Sequence, residues 1–168
     1  MNKKTPISLL LILLCIMILA IGCGAAPQIP QVGDKAPGFS LESLDGKTVS
    51  LSDFQGKMVL VVFSSVNCQG CEQQLPFIQA ICEQPSANLA VLDVYQFDAA
   101  NKVRDYVSSK QLTAVPALPD PRGEVAALYG VARFPPTNFL VDSQGIIRAK
   151  KVGPFESQEE IENILKSL

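Results

Sequence analysis

The sequence predicts an α/β fold with a central mixed β-sheet flanked by helices. Two runs rich in branched apolar residues, Met58 to Phe63 and Leu89 to Tyr95, are typical of strands buried on both faces of a sheet. Between them, Cys71 to Glu83 carries apolar residues at helical spacing, which makes a strand, helix, strand unit. Two further strands, Thr137 to Val141 and Ile146 to Val152, are joined by a short polar turn and indicate an antiparallel part of the sheet.

An N-terminal β-hairpin extension precedes this unit. Its short strands, Phe39 to Leu41 and Lys47 to Leu51, flank the turn Leu44-Asp45-Gly46. Asp-Gly between apolar residues is a strong hairpin signal, because both residues accept the left-handed backbone of a tight turn. The residues Ser52-Asp53-Phe54 then predict a capped turn that leads into the first buried strand.

The segments after the second buried strand alternate between helical and irregular patterns. A polar amphipathic helix is predicted near Asn101 to Lys110, followed by a proline-rich connection from Val115 to Pro121 and a short helix from Gly123 to Tyr129. A last helix begins after Ser157, whose hydroxyl caps it, and the glutamates that follow favour its first turn. The predicted folded domain covers residues 32–168.

Composition excludes several classes of function. The chain has 168 residues with 14 Lys and Arg against 16 Asp and Glu, and it has no long basic run, so nucleic-acid binding is not expected. It contains no histidine, which excludes a Ser-His-Asp triad, a Cys-His pair, His-ligated zinc and His-ligated haem. The chemistry must therefore come from cysteine, carboxylates or backbone groups.

The amino terminus has the pattern of a secretory signal. Two lysines precede an aliphatic stretch from Ile7 to Ile21, which is shorter than the about 20 residues of a membrane-spanning helix. Its end, Ala20-Ile21-Gly22-Cys23, resembles the lipobox of bacterial lipoproteins. The resemblance implies a signal peptide over residues 1–22 and a lipidated Cys23 at the extracytoplasmic face of the cell membrane. Two prolines and the lack of periodicity from Ala25 to Gln31 predict a flexible tether, so residues 23–31 are the lipidated cysteine and tether. A plain cleaved signal with Cys23 as a free thiol, or an uncleaved anchor helix, are the alternatives.

Two cysteines stand where the first buried strand gives way to a helix. The spacing of Cys68-Gln69-Gly70-Cys71 allows a disulfide across the first helical turn, and the amino terminus of the helix favours a thiolate on the first cysteine. Cys68 is then the nucleophile, and Cys71 is the resolving thiol that releases the partner from a mixed disulfide.

A metal or haem site at this cysteine pair would need ligands that the sequence does not supply. Structural zinc takes four ligands, and a c-type haem site needs histidine where Glu72 stands, so we expect no metal and no organic cofactor. A static structural disulfide remains an alternative.

Five segments match a known family in their order and spacing. They are Val32 to Phe39, Leu44 to Lys47, Leu51 to Lys57, the pair Cys68 and Cys71, and Pro136 to Asp142. Together they resemble the membrane-tethered, thioredoxin-fold disulfide reductases of the TlpA and ResA type, within the wider redoxin group. The resemblance implies a thioredoxin-like fold with helices on both faces of the sheet. It also implies an enzyme, a thiol-disulfide oxidoreductase that acts as a protein disulfide reductase.

The same family implies partners and a substrate-binding residue. Its substrates are protein thiols and disulfides, its reducing equivalents come from a membrane thiol carrier, and we expect a monomer. A cis-proline opposite the active cysteines pairs with the backbone of a bound peptide in this family. Pro136 is the matching residue, and Pro135 is the alternative. The client protein and the net direction of exchange stay open.

Three residues depart from the family pattern. The family has Trp before the first cysteine, Pro before the second and often a buried proton-accepting Glu three residues later. This chain has Asn67, Gly70 and Gln74 at those positions. Because Gln74 cannot move a proton, water or Glu72 would have to accept it, although Glu72 is more typical of a solvated carboxylate at a helix terminus.

Three further features bear on the functional class. Cys82 lies about 16 Å beyond Cys71 along the helix, too far for a disulfide, and is predicted to be an inert buried thiol. Arg133 is predicted to be an exposed loop arginine near the proline. A thiol peroxidase is one alternative function, but Val61 and Ser65 replace the Pro and Thr of its motif. A non-catalytic lipoprotein binding module is the other.

Overall fold

The computed structural model describes residues 28–84, 88–112, 114–132 and 136–167. The predicted signal segment, Cys23 and Pro135 lie outside the described residues. The element order is β1 (Ser40–Glu42), β2 (Thr48–Ser50), a 3-10 helix (Leu51–Phe54), β3 (Met58–Ser64), α1 (Gln69–Cys82), β4 (Leu89–Gln96), α2 (Ala100–Ser109), β5 (Ala117–Asp120), α3 (Glu124–Leu128), β6 (Thr137–Val141), β7 (Ile147–Val152) and α4 (Gln158–Lys166). None of the helices within these ranges is long and apolar enough to cross a membrane.

Five strands form one mixed sheet in the order β5-β4-β3-β6-β7. β3 pairs in parallel with β4 and β4 with β5, whereas β6 runs antiparallel to both β3 and β7. Parallel neighbours need a long crossover, which α1 and α2 supply, but β6 and β7 need only a tight turn. In that turn Gly145 has a φ of 83°, and Asp142 Oδ1 accepts hydrogen bonds from the amides of Gln144 and Ile146. The predicted α/β class and mixed sheet are confirmed.

Strand β3 lies at the centre of the sheet and is buried on both faces, as its unbroken apolar sequence predicts. Successive side chains point to opposite faces of a strand. Val61 and Phe63 accordingly join one apolar cluster, while Leu60 and Val62 join the other. The core is therefore two layers, one on each side of the sheet.

Helices cover both layers. α1 and α4 pack on the face of Leu60 through Ile78 and Ile161. α2 covers the same face nearer to β5, where Val103 packs, because two successive right-handed crossovers in one direction place their helices on one side. α3 packs on the opposite face through Val125. The predicted helices flanking the sheet are confirmed.

The N-terminal hairpin is present as predicted, with the first strand shifted by one residue and the second strand shorter by one residue at each end. Leu41 pairs with Val49, and Gly46 makes the turn with a φ of 80°. Ahead of the hairpin, the amide of Gly33 donates to the Ile147 carbonyl at 2.8 Å and the amide of Ala36 to the Gly145 carbonyl at 2.9 Å. These bonds fasten the start of the domain to β7 and its turn.

The proline-rich segment is not only a connection, and the prediction was wrong there. Residues Ala117–Asp120 form β5, which pairs in parallel with β4 and places Pro119 opposite Tyr95. β5 is an edge strand, where a residue without an N–H group is tolerated because one side of the strand has no ladder partner. The prolines therefore mark a sheet edge.

Candidate active site

The cysteine pair lies at the carboxyl end of β3, where the strand gives way to α1. α1 begins at Gln69, earlier than predicted, and Cys68 is its N-cap residue. A disulfide joins Cys68 and Cys71, whose Cα atoms are 5.1 Å apart. Both residues are buried, with 4% and 2% of their surfaces exposed. The predicted pair is therefore close enough to cycle between dithiol and disulfide.

The first turn of α1 surrounds the Cys68 sulfur with backbone donors. The amide of Cys71 donates to Cys68 Sγ at 3.2 Å. Helix amino termini carry unpaired N–H groups and a partial positive charge, which stabilise an anion. A thiolate on Cys68 in the reduced pair is stabilised by both effects, so Cys68 is placed to be the more nucleophilic sulfur.

The loop before the cysteines is fixed to the neighbouring strand end. The amide of Val66 donates to Asp98 Oδ2 at 3.0 Å, and the amide of Cys68 donates to the Ser65 carbonyl at 3.2 Å. Asp98 follows β4, whose carboxyl end lies at the same edge of the sheet as that of β3. Between β4 and Asp98, Phe97 has a φ of 60°, a strained backbone for a bulky residue, and its ring lies over Gly123.

Pro136 lies against the cysteine loop, as the family resemblance implies. A Cβ atom added to Gly70 would lie 3.2 Å from Pro136 Cδ and 3.5 Å from Pro154 Cδ. The two prolines therefore pack on the bare backbone of Gly70, between the two cysteines. Pro135 and Arg133, which were also predicted to lie here, are outside the described residues.

Gln74 occupies the position where the family often has a glutamate. It is completely buried and faces Asn138 on β6. Gln74 Nε2 donates to Asn138 Oδ1 at 3.2 Å, and Asn138 Nδ2 donates to Gln74 Oε1 at 3.1 Å. A neutral amide pair thus replaces a titrating carboxyl beside Cys71.

Sequence reasoning missed a buried carboxyl group beneath α1. Asp93 on β4 is fully buried on the α1 face and lines a narrow cavity with Leu75, which is one helical turn beyond Cys71. Burial raises the pKa of Asp93 to about 6, against hydrogen bonds from Ser64 and Tyr95 that favour the charged form. Its Oδ1 atom has no hydrogen-bond partner among the described residues. The available signal was an aspartate within an otherwise apolar strand.

The remaining candidate groups on α1 are inert or solvated. Glu72 is partly exposed and pairs with Lys110 at 3.2 Å, which agrees with the predicted helix-terminus carboxylate. Cys82 is a half-buried free thiol whose pKa burial raises to about 11, with smaller contributions from Glu83 and Asp93. Within the described ranges, no three His, Cys, Asp or Glu side chains are grouped as metal ligands are.

Comparison with known proteins places the chain among thiol-disulfide enzymes. A model of the AhpC/TSA family matches residues 32–150. The thiol-disulfide oxidoreductase ResA of Bacillus thuringiensis subsp. konkukian (strain 97-27) is 29% identical over 167 residues, covering 91% of this chain and 94% of the relative.

Solved structures agree. A structure described as the thiol:disulfide interchange protein DsbE from Chlorobium tepidum has a TM-score of 0.74 and 28% identity, covering 82% of this chain and 97% of that one. The pneumococcal exposed lipoprotein thioredoxin Etrx1 of Streptococcus pneumoniae strain TIGR4 has a TM-score of 0.70 and 28% identity, covering 79% and 100%. With a cysteine pair on a thioredoxin-like fold and a family match over most of its length, the chain belongs to the AhpC/TSA family and is a thiol-disulfide oxidoreductase.

Proposed function

We propose that this protein is a membrane-anchored, extracytoplasmic oxidoreductase that reduces disulfides in other proteins. The observation that supports the proposal most directly is the Cys68–Cys71 disulfide at the amino terminus of α1, with Pro136 packed against the loop between the cysteines. A pair so placed can be oxidised and reduced with little movement of the fold. The substrates are protein disulfides, and the reductant is a membrane thiol carrier.

The reaction follows from the positions of the two sulfurs. In the reduced enzyme, the Cys68 thiolate attacks one sulfur of a substrate disulfide, and the other substrate sulfur leaves as a thiolate that takes a proton from water. Cys71 then loses its proton and attacks the Cys68 sulfur, which releases the second substrate thiolate. The substrate gains two electrons, and the enzyme leaves with its internal disulfide. Two electrons from the thiol carrier restore the dithiol.

Pro136 is proposed to bind the substrate backbone during this exchange. It is buried and its carbonyl accepts a hydrogen bond from the Gly153 amide at 2.8 Å, so its position beside Gly70 is well defined. A peptide lying along this segment would bring its own cysteine to the Cys68 sulfur. Proximity of this kind contributes much of the rate of a bimolecular exchange.

The reduction potential of the pair tests the proposed direction. The purified protein is equilibrated in glutathione buffers and its thiols are counted by mass spectrometry, with Cys71→Ser as the control that cannot form the internal disulfide. A two-electron couple below about -230 mV is expected for a reductase, whereas one near -120 mV would indicate an oxidant. A pair that never exchanges its disulfide would refute the enzymatic role and leave a binding module.

Membrane anchoring is proposed from the lipobox-like end of the signal sequence at Cys23. The similarity to a lipoprotein thioredoxin supports it. A single acyl chain holds a protein weakly, and two or more hold it firmly, so lipidation at Cys23 is expected to keep the protein in the membrane fraction. Mass spectrometry of the mature amino terminus tests this. A chain that begins at Cys23 without a lipid would refute the anchor, and one that retains residues 1–22 would refute lipidation at Cys23 in favour of an uncleaved anchor helix.

A further inference from the structure

A cluster of hydrogen bonds between neutral groups connects α1, the helix that carries the cysteines, to the segment around Pro136. The amide cluster consists of Gln74 on α1, Asn138 on β6, and the backbone of Gly153 and Phe155 between β7 and α4. Asn138 Nδ2 donates to the Gly153 carbonyl at 3.1 Å, and the Phe155 amide donates to Gln74 Oε1 at 3.2 Å. These bonds add to the paired bonds between the two side-chain amides, so the cluster joins three separate segments of the chain.

The orientation of each side-chain amide is fixed by a backbone group. A carbonyl can only accept, so Gly153 requires the NH2 group of Asn138 on its side. A backbone N–H can only donate, so Phe155 requires the oxygen of Gln74 on its side. Neither amide can be reversed without losing a bond. The bond from Gln74 Nε2 to Asn138 Oδ1 is therefore obligatory, and a carboxylate at position 74 could not make it.

The cluster also holds Pro136. Gly153 donates its amide to the Pro136 carbonyl at 2.8 Å and accepts from Asn138, which is two residues beyond Pro136. Gln74 is three residues beyond Cys71, on the same helix as the active pair. The path from the helix to the proline thus runs through Gln74, Asn138 and Gly153, and each step is a hydrogen bond.

We infer that Gln74 and Asn138 are positioning residues that hold Pro136 against Gly70 for substrate binding, and that the amide at position 74 is what makes this possible. This inference rests on the proposed disulfide exchange at Cys68. It predicts that damage to the cluster weakens the binding of a peptide substrate, which contacts the proline segment. The reaction of Cys68 with a small disulfide, which needs no such contact, should be unchanged.

The test compares two substrates on the full chain in detergent. One is a short peptide with a single internal disulfide, and the other is hydroxyethyl disulfide. The variant Gln74→Glu keeps the size of the side chain but removes its NH2 donor, which leaves Asn138 Oδ1 facing an oxygen. The matched control is Gln73→Glu, the same change at an exposed position of the same helix.

The expected result is a rise in KM for the peptide of about tenfold or more in Gln74→Glu, since small misplacements at a binding site carry costs of this size or larger. A glutamate at position 74 is also the proton acceptor of the family pattern and can change the deprotonation of Cys71, so kcat and the rate with hydroxyethyl disulfide are measured separately from KM. A variant that adds no carboxyl, Gln74→Met with Asn138→Leu, should keep the wild-type rate with hydroxyethyl disulfide. Gln73→Glu should match the wild type with both substrates.

The pH dependence gives a second readout. A protonated glutamic acid can donate to Asn138 Oδ1, so KM of Gln74→Glu should approach the wild-type value at acidic pH and rise as the new carboxyl ionises. The rate with hydroxyethyl disulfide serves as the reference for the ionisation of Cys68.

In Asn138→Asp the new oxygen faces two acceptors, Gln74 Oε1 and the Gly153 carbonyl, and one proton cannot satisfy both. Acid should therefore restore that variant incompletely.

A double variant separates positioning from stability. Gln74→Met with Asn138→Leu removes both amides together, so neither side chain is left facing an unpaired partner. Urea unfolding measures the stability that is lost with the bonds to the Phe155 amide and the Gly153 carbonyl. We expect it to fold and to react normally with hydroxyethyl disulfide but to keep the raised KM for the peptide. The inference is overturned if the folded variants bind the peptide as the wild type does, or if both substrates slow equally. If the wild type exchanges with neither substrate, the proposed function itself fails.

Discussion

The substitution Asp93→Asn tests whether a buried charge lowers the stability of this fold. Asp93 has only 4% of its surface exposed, and this burial raises the pKa of its carboxyl from 3.8 to about 6. At about 1.36 kcal/mol per pH unit, the raised pKa corresponds to about 3 kcal/mol. The folded protein binds the proton more tightly than the unfolded chain between these two values. The free energy of unfolding should therefore fall as pH rises from about 4 to 6, and then level off.

Urea unfolding of the oxidised protein at pH 4 and pH 7.5 measures this difference. We expect the wild type to lose about 2.4 kcal/mol more between these pH values than Asp93→Asn, because asparagine does not ionise and the unfolded chain is already partly ionised at pH 4. Asp142→Asn is the matched control. Burial raises the pKa of Asp142, but the Ile146 amide and Arg148 outweigh it and hold the pKa below its usual value of 3.8. The stability that Asp142 contributes is lost mainly below pH 4, so between pH 4 and 7.5 Asp142→Asn should follow the same pH dependence as the wild type. Parallel stability curves for the wild type and Asp93→Asn would refute the reasoning.

Three other substitutions test separate parts of the structure. Gly70→Val places a side chain against Pro136, so KM for a disulfide peptide should rise while hydroxyethyl disulfide reacts normally. An unchanged KM would show that the close approach of the proline to Gly70 is unimportant for peptide binding. Ser157→Ala removes the hydroxyl that accepts the Glu160 amide at 3.1 Å and should lower the unfolding free energy by about 1 kcal/mol, measured by urea, without changing exchange rates. Cys82→Ser should leave exchange unchanged. In the oxidised wild type Cys82 should react slowly with iodoacetamide at pH 8, because burial raises its pKa to about 11, and rapid labelling would contradict its burial.

The parts of the fold that follow from local pattern were predictable from the sequence. The buried strands β3 and β4, the hairpin turn at Gly46 and the cap at Ser157 each depend on residues close together in the chain. Strand β5 was not predictable in this way, because its prolines argue against a strand unless the strand is known to lie at an edge. Position within the sheet is set by tertiary pairing, which periodicity does not contain.

The same distinction applies to the site. Cys68 and Cys71 are adjacent by spacing alone, so their disulfide could be foreseen from the sequence. The amide pair joins Gln74 to a residue 64 positions away, and only the packing of α1 against β6 brings the two together. Without that partner, the sequence shows Gln74 only as a missing proton acceptor. The fold gives it a bonding role that local sequence does not contain.

The two edges of the sheet determine how this protein behaves when it is crowded by copies of itself. An open edge strand offers unpaired N–H and C=O groups on which another chain can add a strand, which is a route to aggregation. Pro119 interrupts the donor row of β5, and the turn of the N-terminal hairpin lies beside the segment that leads into this strand. At the other edge, β7 carries Arg148, Lys150 and Lys151, and charged side chains of this kind make an edge strand a poor partner for a second strand. Arg148 and Lys151 are also held by ion pairs with Asp142 and Glu160. Both edges are thus poor templates for strand addition, so copies of the chain can be concentrated without their sheets joining edge to edge.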